Sequence, residues 1–145
     1  GGMATRLLIS LNAGESWRKV DLPLRHGTSS EGAYSVAFAD DTTGIIVGGD
    51  YTKERLISDF CLYSYDGGFG WVHSYSLTGG FRECVEFIDP QTAIAAGPYG
   101  MDITVNRGVE WSPFSEEKGF HVIRKARNGN LIIAAGNNRI AIIRY

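Results

Sequence analysis

One spacing, Ser-x-Asp-x-Gly-x-x-Trp, occurs three times in the chain and restricts its fold more than any other feature. We call the copies the first, second and third turn motifs: Ser10, Asn12, Gly14 and Trp17; Ser64, Asp66, Gly68 and Trp71; Thr104, Asn106, Gly108 and Trp111. Every tryptophan of the sequence ends one of these motifs, which indicates that the tryptophans are periodic structural parts. A segment that recurs in this way predicts a repeat fold.

Each turn motif has the residue types that close a β-hairpin. A short Asp or Asn side chain accepts hydrogen bonds from backbone N–H groups of its own turn, and the Ser or Thr two places earlier adds a hydroxyl. The glycine two places later permits the positive φ that a tight turn needs. The tryptophan then begins the return strand and has a large apolar surface to bury.

The segments between the motifs predict units of four strands. In the first complete unit, residues 34–38 have the alternation expected of a strand, residues 44–49 form a β-branched run, and residues 60–63 lead into the second motif. Gly49, Gly97 and Gly136 are each predicted to end the second strand of a unit. Residues 21–33 are predicted to be a connecting loop, and residues 50–59 a polar insertion.

Units of roughly 40 to 50 residues with four strands are typical of β-propeller blades. We therefore predict an all-β fold, a β-propeller fragment of about three four-stranded antiparallel blades. Within 1–145 the predicted divisions are a half blade at 5–20, blades at 34–76 and 83–115, and a three-stranded last blade at 121–145.

The charge and hydropathy of the chain exclude two classes of partner. With 14 basic and 16 acidic residues, the formal net charge is −2, which gives no electrostatic case for nucleic acid. No apolar run approaches the ~18 residues of a membrane span, and the start shows no signal-peptide pattern.

Cys61 and Cys84 lie in apolar, strand-like surroundings, which favours buried free thiols, with one disulfide as the alternative. Their spacing matches no zinc pattern, and His26, His73 and His121 are isolated from one another. We predict no metal and no cofactor.

Two aspartate pairs offer carboxylates that could bind calcium. They are Asp40 with Asp41 and Asp50 with Asp59, and neither pair has the ligand spacing of an EF-hand. The alternative for these residues is that they cap turns.

The turn motifs resemble the Asp-box, or bacterial neuraminidase repeat, of sialidase-like β-propellers. That resemblance implies that the motifs lie on the outer hairpin of each blade, stabilise the fold and perform no chemistry.

Residues 34–38, 44–50 and 64–71 together resemble the C-terminal half of propellers related to photosystem II stability and assembly factors. The resemblance implies a binding scaffold and an exported protein, in the periplasm or cell envelope. Bacterial relatives of this type are often labelled oxidoreductases. No G-x-G-x-x-G that follows a strand and opens a helix, and no haem or metal spacing, supports that label here.

The predicted function is a non-catalytic scaffold that binds a protein or a glycan at the axial face, where loops precede each innermost strand. Aligning the units on Gly32, Gly80 and Gly119 predicts that the following four residues face the axis: Tyr34, Arg82, Glu83 and His121. The alternative is that Tyr34 and His121 only begin strands and that Arg82 and Glu83 are solvated.

A second function is a glycoside hydrolase of the sialidase type. Such an enzyme needs converging arginines, an acid/base carboxylate and a Tyr nucleophile assisted by Glu. Arg82, Arg124, Tyr34 and Glu83 supply these residue types, but the N-terminal arginine motif of that family is absent.

The predicted blades are too few to close a propeller, which needs about four to eight. We expect additional N-terminal blades in a longer protein, self-association, or a closure in which residues 5–20 supply an outer strand to residues 121–145.

Overall fold

A computed structural model describes residues 4–25 and 27–145, and every helix or strand in those residues is a β-strand. The strands are β1 (Arg6–Ile9), β2 (Arg18–Asp21), β3 (Glu31–Phe38), β4 (Gly44–Asp50), β5 (Leu62–Ser64), β6 (Val72–His73), β7 (Cys84–Phe87), β8 (Ala93–Gly97), β9 (Gly100–Thr104), β10 (Ser112–Ser115), β11 (Phe120–Lys125), β12 (Ile132–Gly136) and β13 (Arg139–Ile143).

The strands form one hairpin and three antiparallel sheets. We call them the hairpin (β1-β2), the first sheet (β3-β4-β5-β6), the middle sheet (β7-β8-β9-β10) and the last sheet (β11-β12-β13). Each sheet is built in chain order, so consecutive strands are always neighbours. No helix long and apolar enough to cross a bilayer is found in the described part of the chain.

The strand at one edge of each sheet contacts its counterpart in the next sheet. β3 contacts β7, and β7 contacts β11, so these strands form a continuous inner row. The three turn motifs lie at the opposite edges, between β1 and β2, β5 and β6, and β9 and β10. Apolar side chains fill the space between successive sheets, which is the packing expected when neighbouring sheets bury the faces that they turn toward each other.

Three clusters make up this core. Ile46, Leu62 and Trp71 pack between the hairpin and the first sheet, together with Leu7 and Val20 of the hairpin. The cluster between the first and middle sheets contains Ile45, Val47, Cys61, Val85, Ala93, Ala95 and Trp111. The cluster between the middle and last sheets contains Cys84, Ile88, Ile94, Ala96, Met101, Ile103, Phe120, Ile123, Ile132 and Ala134.

The turn motifs share one hydrogen-bond pattern. The hydroxyl oxygens of Ser10, Ser64 and Thr104 accept from the backbone N–H of the motif glycine at 2.7, 3.0 and 2.9 Å. The Oδ1 atoms of Asn12, Asp66 and Asn106 accept from the backbone N–H four residues later at 2.9, 2.8 and 2.9 Å. These bonds agree with the local chemistry that the residue types predict, and they explain why each chain reversal is tight.

The structure corrects which glycine marks the unit. A Cβ on Gly48, Gly97 or Gly136 would lie 1.9, 2.2 or 1.8 Å from the inner-strand carbonyl oxygen of Gly32, Phe81 or Gly119, respectively. Gly48 is therefore the structural equivalent of Gly97 and Gly136, and the prediction of Gly49 was wrong by one residue. The pair Gly48-Gly49 offers two candidates in sequence, and only the close approach of the inner strand distinguishes them.

Two predictions about the N-terminal part are also corrected. Residues 31–33 belong to β3, since Glu31 and Gly32 pair with Asp50 and Gly49; the predicted loop is therefore shorter. His26, within that loop, and residues 1–3 lie outside the described residues. The closure of residues 5–20 onto residues 121–145 is wrong, because the hairpin packs on the first sheet and β13 pairs with β12 alone among the described strands.

Cys61 and Cys84 are buried free thiols in different clusters, as predicted. Burial raises the pKa of the Cys61 thiol.

Asp40 caps a turn, since its Oδ1 accepts from the backbone N–H groups of Thr42 and Thr43 at 2.8 and 2.7 Å. Hydrogen bonds from Thr42 and Thr43 lower the pKa of Asp40 to about 2. Oδ1 of Asp50 likewise accepts a hydrogen bond from the backbone N–H of Thr52.

Candidate functional site

The inner strands place three chemically different side chains at one equivalent position. Tyr34, Glu83 and His121 each lie two residues after the carbonyl that packs on the unit glycine. Tyr34 is the fourth residue of β3, Glu83 immediately precedes β7, and His121 is the second residue of β11. We call their surface, together with segment 51–56 and Tyr99, the inner rim. Aligning the units within the sequence placed both Arg82 and Glu83 at this position. In the structure, Glu83 occupies the position and Arg82 does not.

Tyr34 is held in a fixed orientation while its ring stays partly exposed. Its hydroxyl donates to the carbonyl oxygen of Ser30 at 3.0 Å. The ring packs edge-on against buried Phe81, with centroids 4.8 Å apart, and against Tyr51 at 6.3 Å. Partial burial is the largest cause of the raised pKa of Tyr34. The fixed ring offers contact area at a small entropic cost.

Glu83 and His121 link the middle sheet to the last sheet. Oε2 of Glu83 pairs with Nδ1 of His121, and Nε2 of His121 lies 3.0 Å from Oδ1 of Asn137. The hydrogen bond with Glu83 is the largest cause of the raised pKa of His121. Because both ring nitrogens face oxygen atoms, the protonated ring, which donates from both, fits this arrangement.

Arg82 lies beneath the rim instead of on it. Its Nε and Nη2 both lie 2.6 Å from Oδ2 of Asp102, and Nη1 donates to the carbonyl oxygen of Phe81 at 3.0 Å. Both charged side chains are almost completely buried. Consecutive residues of an extended strand point to opposite sides, so Glu83 reaches the surface and Arg82 the interior. Arg82 is neither an axial contact nor the solvated residue of the alternative.

The polar insertion forms one wall of an open cavity of about 670 Å³, lined by segment 51–56 and Tyr99. The carbonyl oxygen of Glu54 accepts from the N–H of Phe81 at 2.9 Å, which fastens the segment to the middle sheet. The Arg55 guanidinium lies 4.4 Å from the centroid of the Tyr99 ring, and Nζ of Lys118 lies 5.7 Å from it.

Sequence reasoning missed Arg55 and Tyr99 as parts of this surface. The available signals were the insertion at residues 50–59 and the turn at residues 98–100, which connect second to third strands in consecutive units. Such connections lie at the same end of the sheets as the N-terminal ends of the inner strands. Their contact across sheets depends on tertiary packing, which spacing alone does not give.

The geometry does not assemble the arginine cluster that the sialidase alternative needs. Arg82 is buried against Asp102, whereas Arg124 is exposed and contacts Glu86 at 3.4 Å. The Tyr34 hydroxyl donates to a backbone carbonyl instead of to a carboxylate. Residues 4–25 and 27–145 contain no group of three or more His, Cys, Asp or Glu side chains that could hold a metal ion.

No family model matches the sequence, and no curated protein matches it. Among solved structures, "YCF48 bound to D1 peptide" is similar to this chain with a TM-score of 0.63 and 23% sequence identity. The match covers 90% of this chain and 40% of that chain. The similarity confirms the predicted fold class: the chain is all-β and forms consecutive sheets of a β-propeller.

Proposed function

We propose that this chain is a non-catalytic propeller module that binds an extended segment of another protein along the inner rim. The observation that carries this proposal is the equivalence of Tyr34, Glu83 and His121, each two residues after the carbonyl that packs on the unit glycine in three adjacent units. Different side chains at equivalent positions offer a ligand different contacts at successive steps along one row. The name of the YCF48 structure records a bound peptide, which is consistent with this type of ligand.

The rim combines apolar rings with charged groups, a composition suited to a peptide. Tyr34, Tyr51 and Tyr99 are all partly exposed, so a ligand that covers them buries apolar area. The Arg55 guanidinium and the Glu83–His121 pair supply charges that can fix the orientation of a peptide. The scaffold behind them is rigid, because Phe81 and the Arg82–Asp102 pair are buried directly below.

The three turn motifs have a separate role in this proposal. We infer that they are Asp-boxes, supported by their shared hydrogen bonds and by their location at the edges opposite the inner row. A ligand at the inner rim therefore leaves the motifs untouched. This separation supplies the control in the experiment.

Selection from a phage-displayed library of random peptides tests the proposed function. We expect enriched peptides to shift the backbone amide resonances of Tyr34, Glu83, His121 and Tyr99 and to leave the turn motifs unchanged. Tyr99→Ala should weaken binding about tenfold or more, because it removes both the ring and the support for Arg55. Tyr75→Ala changes an exposed tyrosine outside the rim and should leave the affinity unchanged.

Failure to enrich any peptide, or amide shifts confined to the turn motifs, would contradict the proposal. Circular dichroism of each variant establishes that a loss of binding is not a loss of fold.

A further inference from the structure

The turn that joins β11 to β12 lacks a cap that the equivalent turns of the other two sheets possess. Asp40, Asp89 and Asn128 each lie eight residues before the unit glycine of their sheet. Oδ1 of Asp40 accepts from two backbone N–H groups at 2.8 and 2.7 Å, and Oδ1 of Asp89 accepts from two at 2.8 Å. The side chain of Asn128 makes no hydrogen bond to any of the described residues, so its amide is free to rotate.

This turn, residues 127–130, is one residue longer than its counterparts, and we call it the last turn. One backbone hydrogen bond closes each of the three turns, from Ala39 to Thr43, from Ile88 to Thr92 and from Ala126 to Leu131. The first two bonds enclose three residues and the third encloses four. All four residues of the last turn are exposed. The position at the end of the row does not cause this exposure, because Pro90 and Gln91 are also exposed in the middle sheet, which has a sheet on each side.

The residue after Asn128 leaves its backbone nitrogen accessible. Asn128-Gly129 is the one Asn-Gly pair of the sequence. Gly129 has a φ of 93°, and a Cβ placed on it would meet no atom within 4 Å. Its N–H donates to no described residue, whereas its carbonyl oxygen accepts from Nζ of Lys125 at 3.2 Å. Because glycine carries no Cβ, nothing hinders the approach of the Asn128 side chain to this nitrogen.

A comparable pair in the second turn motif is held by hydrogen bonds on both sides. Asp66-Gly67 is the one Asp-Gly pair of the sequence. Oδ1 of Asp66 accepts from the hydroxyl of Ser64 and from the N–H of Gly70, both at 2.8 Å. The N–H of Gly67 donates to the carbonyl oxygen of Thr42 at 2.9 Å. The side chain and the nitrogen of this pair can meet only if these bonds break, whereas those of the last turn have no such bonds to break.

We propose that Asn128 is a site of spontaneous modification, at which the folded chain loses ammonia through a cyclic imide. The nitrogen of Gly129 gives its proton to hydroxide and attacks Cγ of Asn128, a step favoured because the two groups are held next to each other in the chain. An N–Cγ bond forms, the Cγ–Nδ2 bond breaks, and Nδ2 takes up a proton from water and leaves as ammonia. Water then opens the five-membered imide at either carbonyl, which leaves an aspartate or an isoaspartate at position 128.

Either product adds a carboxylate to the last turn and changes the formal net charge from −2 to −3. The aspartate product carries the side chain with which Asp40 and Asp89 cap the equivalent turns. The isoaspartate product lengthens the backbone of the turn by one carbon atom. The last turn lies at the end of the sheets opposite the inner rim, so this modification does not depend on peptide binding at the rim.

Incubation of the folded chain at mildly alkaline pH, followed by ion-exchange chromatography and peptide mapping by mass spectrometry, tests the proposal. We expect one acidic species to accumulate with first-order kinetics and to map to Asn128. A turn that had to open before it reacted would be protected, so the rate in the folded chain should lie within about tenfold of the rate in urea. Asn128→Gln retains an exposed amide but needs a six-membered ring to cyclise, and it should give no acidic species.

Asp66→Asn is the matched control, because it puts a second Asn-Gly pair into a turn that is held by hydrogen bonds. Asn12 and Asn106 occupy this position in the other two motifs, so the variant should keep the fold, which circular dichroism verifies. The new pair should react at the rate of Asn128 in urea and stay unchanged in the folded chain. Reaction of Asn128 only in urea, an acidic species that maps elsewhere or persists in Asn128→Gln, or equal rates at both pairs in the folded chain would overturn the proposal.

Discussion

The first turn motif and the two later motifs have the same local structure but different burial. Trp17, Trp71 and Trp111 each end a turn in which a hydroxyl accepts from the motif glycine. Trp17 is 61% exposed, whereas Trp71 and Trp111 are 8% and 6% exposed. Trp71 and Trp111 pack in the space between their own sheet and the preceding element. No described element precedes the hairpin, and Trp17 lies only against its own turn, where its indole N–H donates to the carbonyl oxygen of Gly14 at 3.1 Å.

This difference in burial separates two contributions to stability that occur together in the other repeats. The hydrogen bonds of a turn are local and form in every copy, whereas apolar burial needs a neighbouring sheet. The middle sheet has neighbours on both sides and should be the most stable part of the chain. The hairpin and the last sheet each have one open side and should open at lower free energy.

The largest expected effect is a difference between tryptophan substitutions. Trp71→Ala and Trp111→Ala should each lower the free energy of unfolding by about 3–5 kcal/mol, because each leaves a cavity between two elements. Trp17→Ala should lower it by less than about 1 kcal/mol, since most of that ring is already in water. Urea unfolding measures all three losses. Equal losses would show that the ring acts within its own turn instead of between sheets.

A smaller effect is expected from the hydroxyls of the same motifs. Ser64→Ala should cost about 1–3 kcal/mol, because it leaves the N–H of Gly68 without its partner in a buried turn. Ser10→Ala removes the same bond at an exposed turn and should cost about 0.5–1 kcal/mol, since water replaces the hydroxyl. Urea unfolding gives both values. A larger loss for Ser10→Ala than for Ser64→Ala would break the distinction between local bonds and burial.

The smallest effect concerns the contact that joins the last sheet to the middle sheet at the rim. The pKa of His121 should lie above 6.5 and fall toward that value in Glu83→Gln, because the hydrogen bond with Glu83 is the main cause of the upward shift. A raised folded-state pKa means that the stabilisation is fully present below pH 6.5 and is lost as the pH rises through the folded-state value. Imidazole proton shifts followed by NMR measure the change. An unchanged pKa in Glu83→Gln would contradict the pairing.

The sequence was most informative where the chemistry is local. The turn motifs carry their hydrogen-bond partners within seven residues, and so the hairpins and the order of strands followed from spacing. Gly48 was missed because the choice between Gly48 and Gly49 depends on the close approach of Gly32. Gly32 is distant from both glycines in sequence. The burial of Arg82 was missed for the same reason, since Asp102 belongs to a different strand of its sheet.

The rim was predictable only in part. Tyr34, Glu83 and His121 were found by aligning the units on Gly32, Gly80 and Gly119, which places each of them within one residue of the position that they share in the structure. Segment 51–56 could be recognised as an insertion, but its position depends on contacts with the middle sheet that spacing does not give, among them the hydrogen bond from Phe81 to Glu54 and the contact of Arg55 with the Tyr99 ring. Repeats therefore indicate equivalent positions, and insertions indicate where the repeat is modified without showing what they contact.

Fluorescence quenching by acrylamide tests most directly whether the sheets stack in the row described. Three single-tryptophan proteins, each made by replacing the other two tryptophans with phenylalanine, report each indole separately. We predict that Trp17 is quenched several-fold more efficiently than Trp71 and Trp111, because only the latter two lie between packed elements. Equal quenching of all three indoles, or strongest protection of Trp17, would contradict the stacked arrangement.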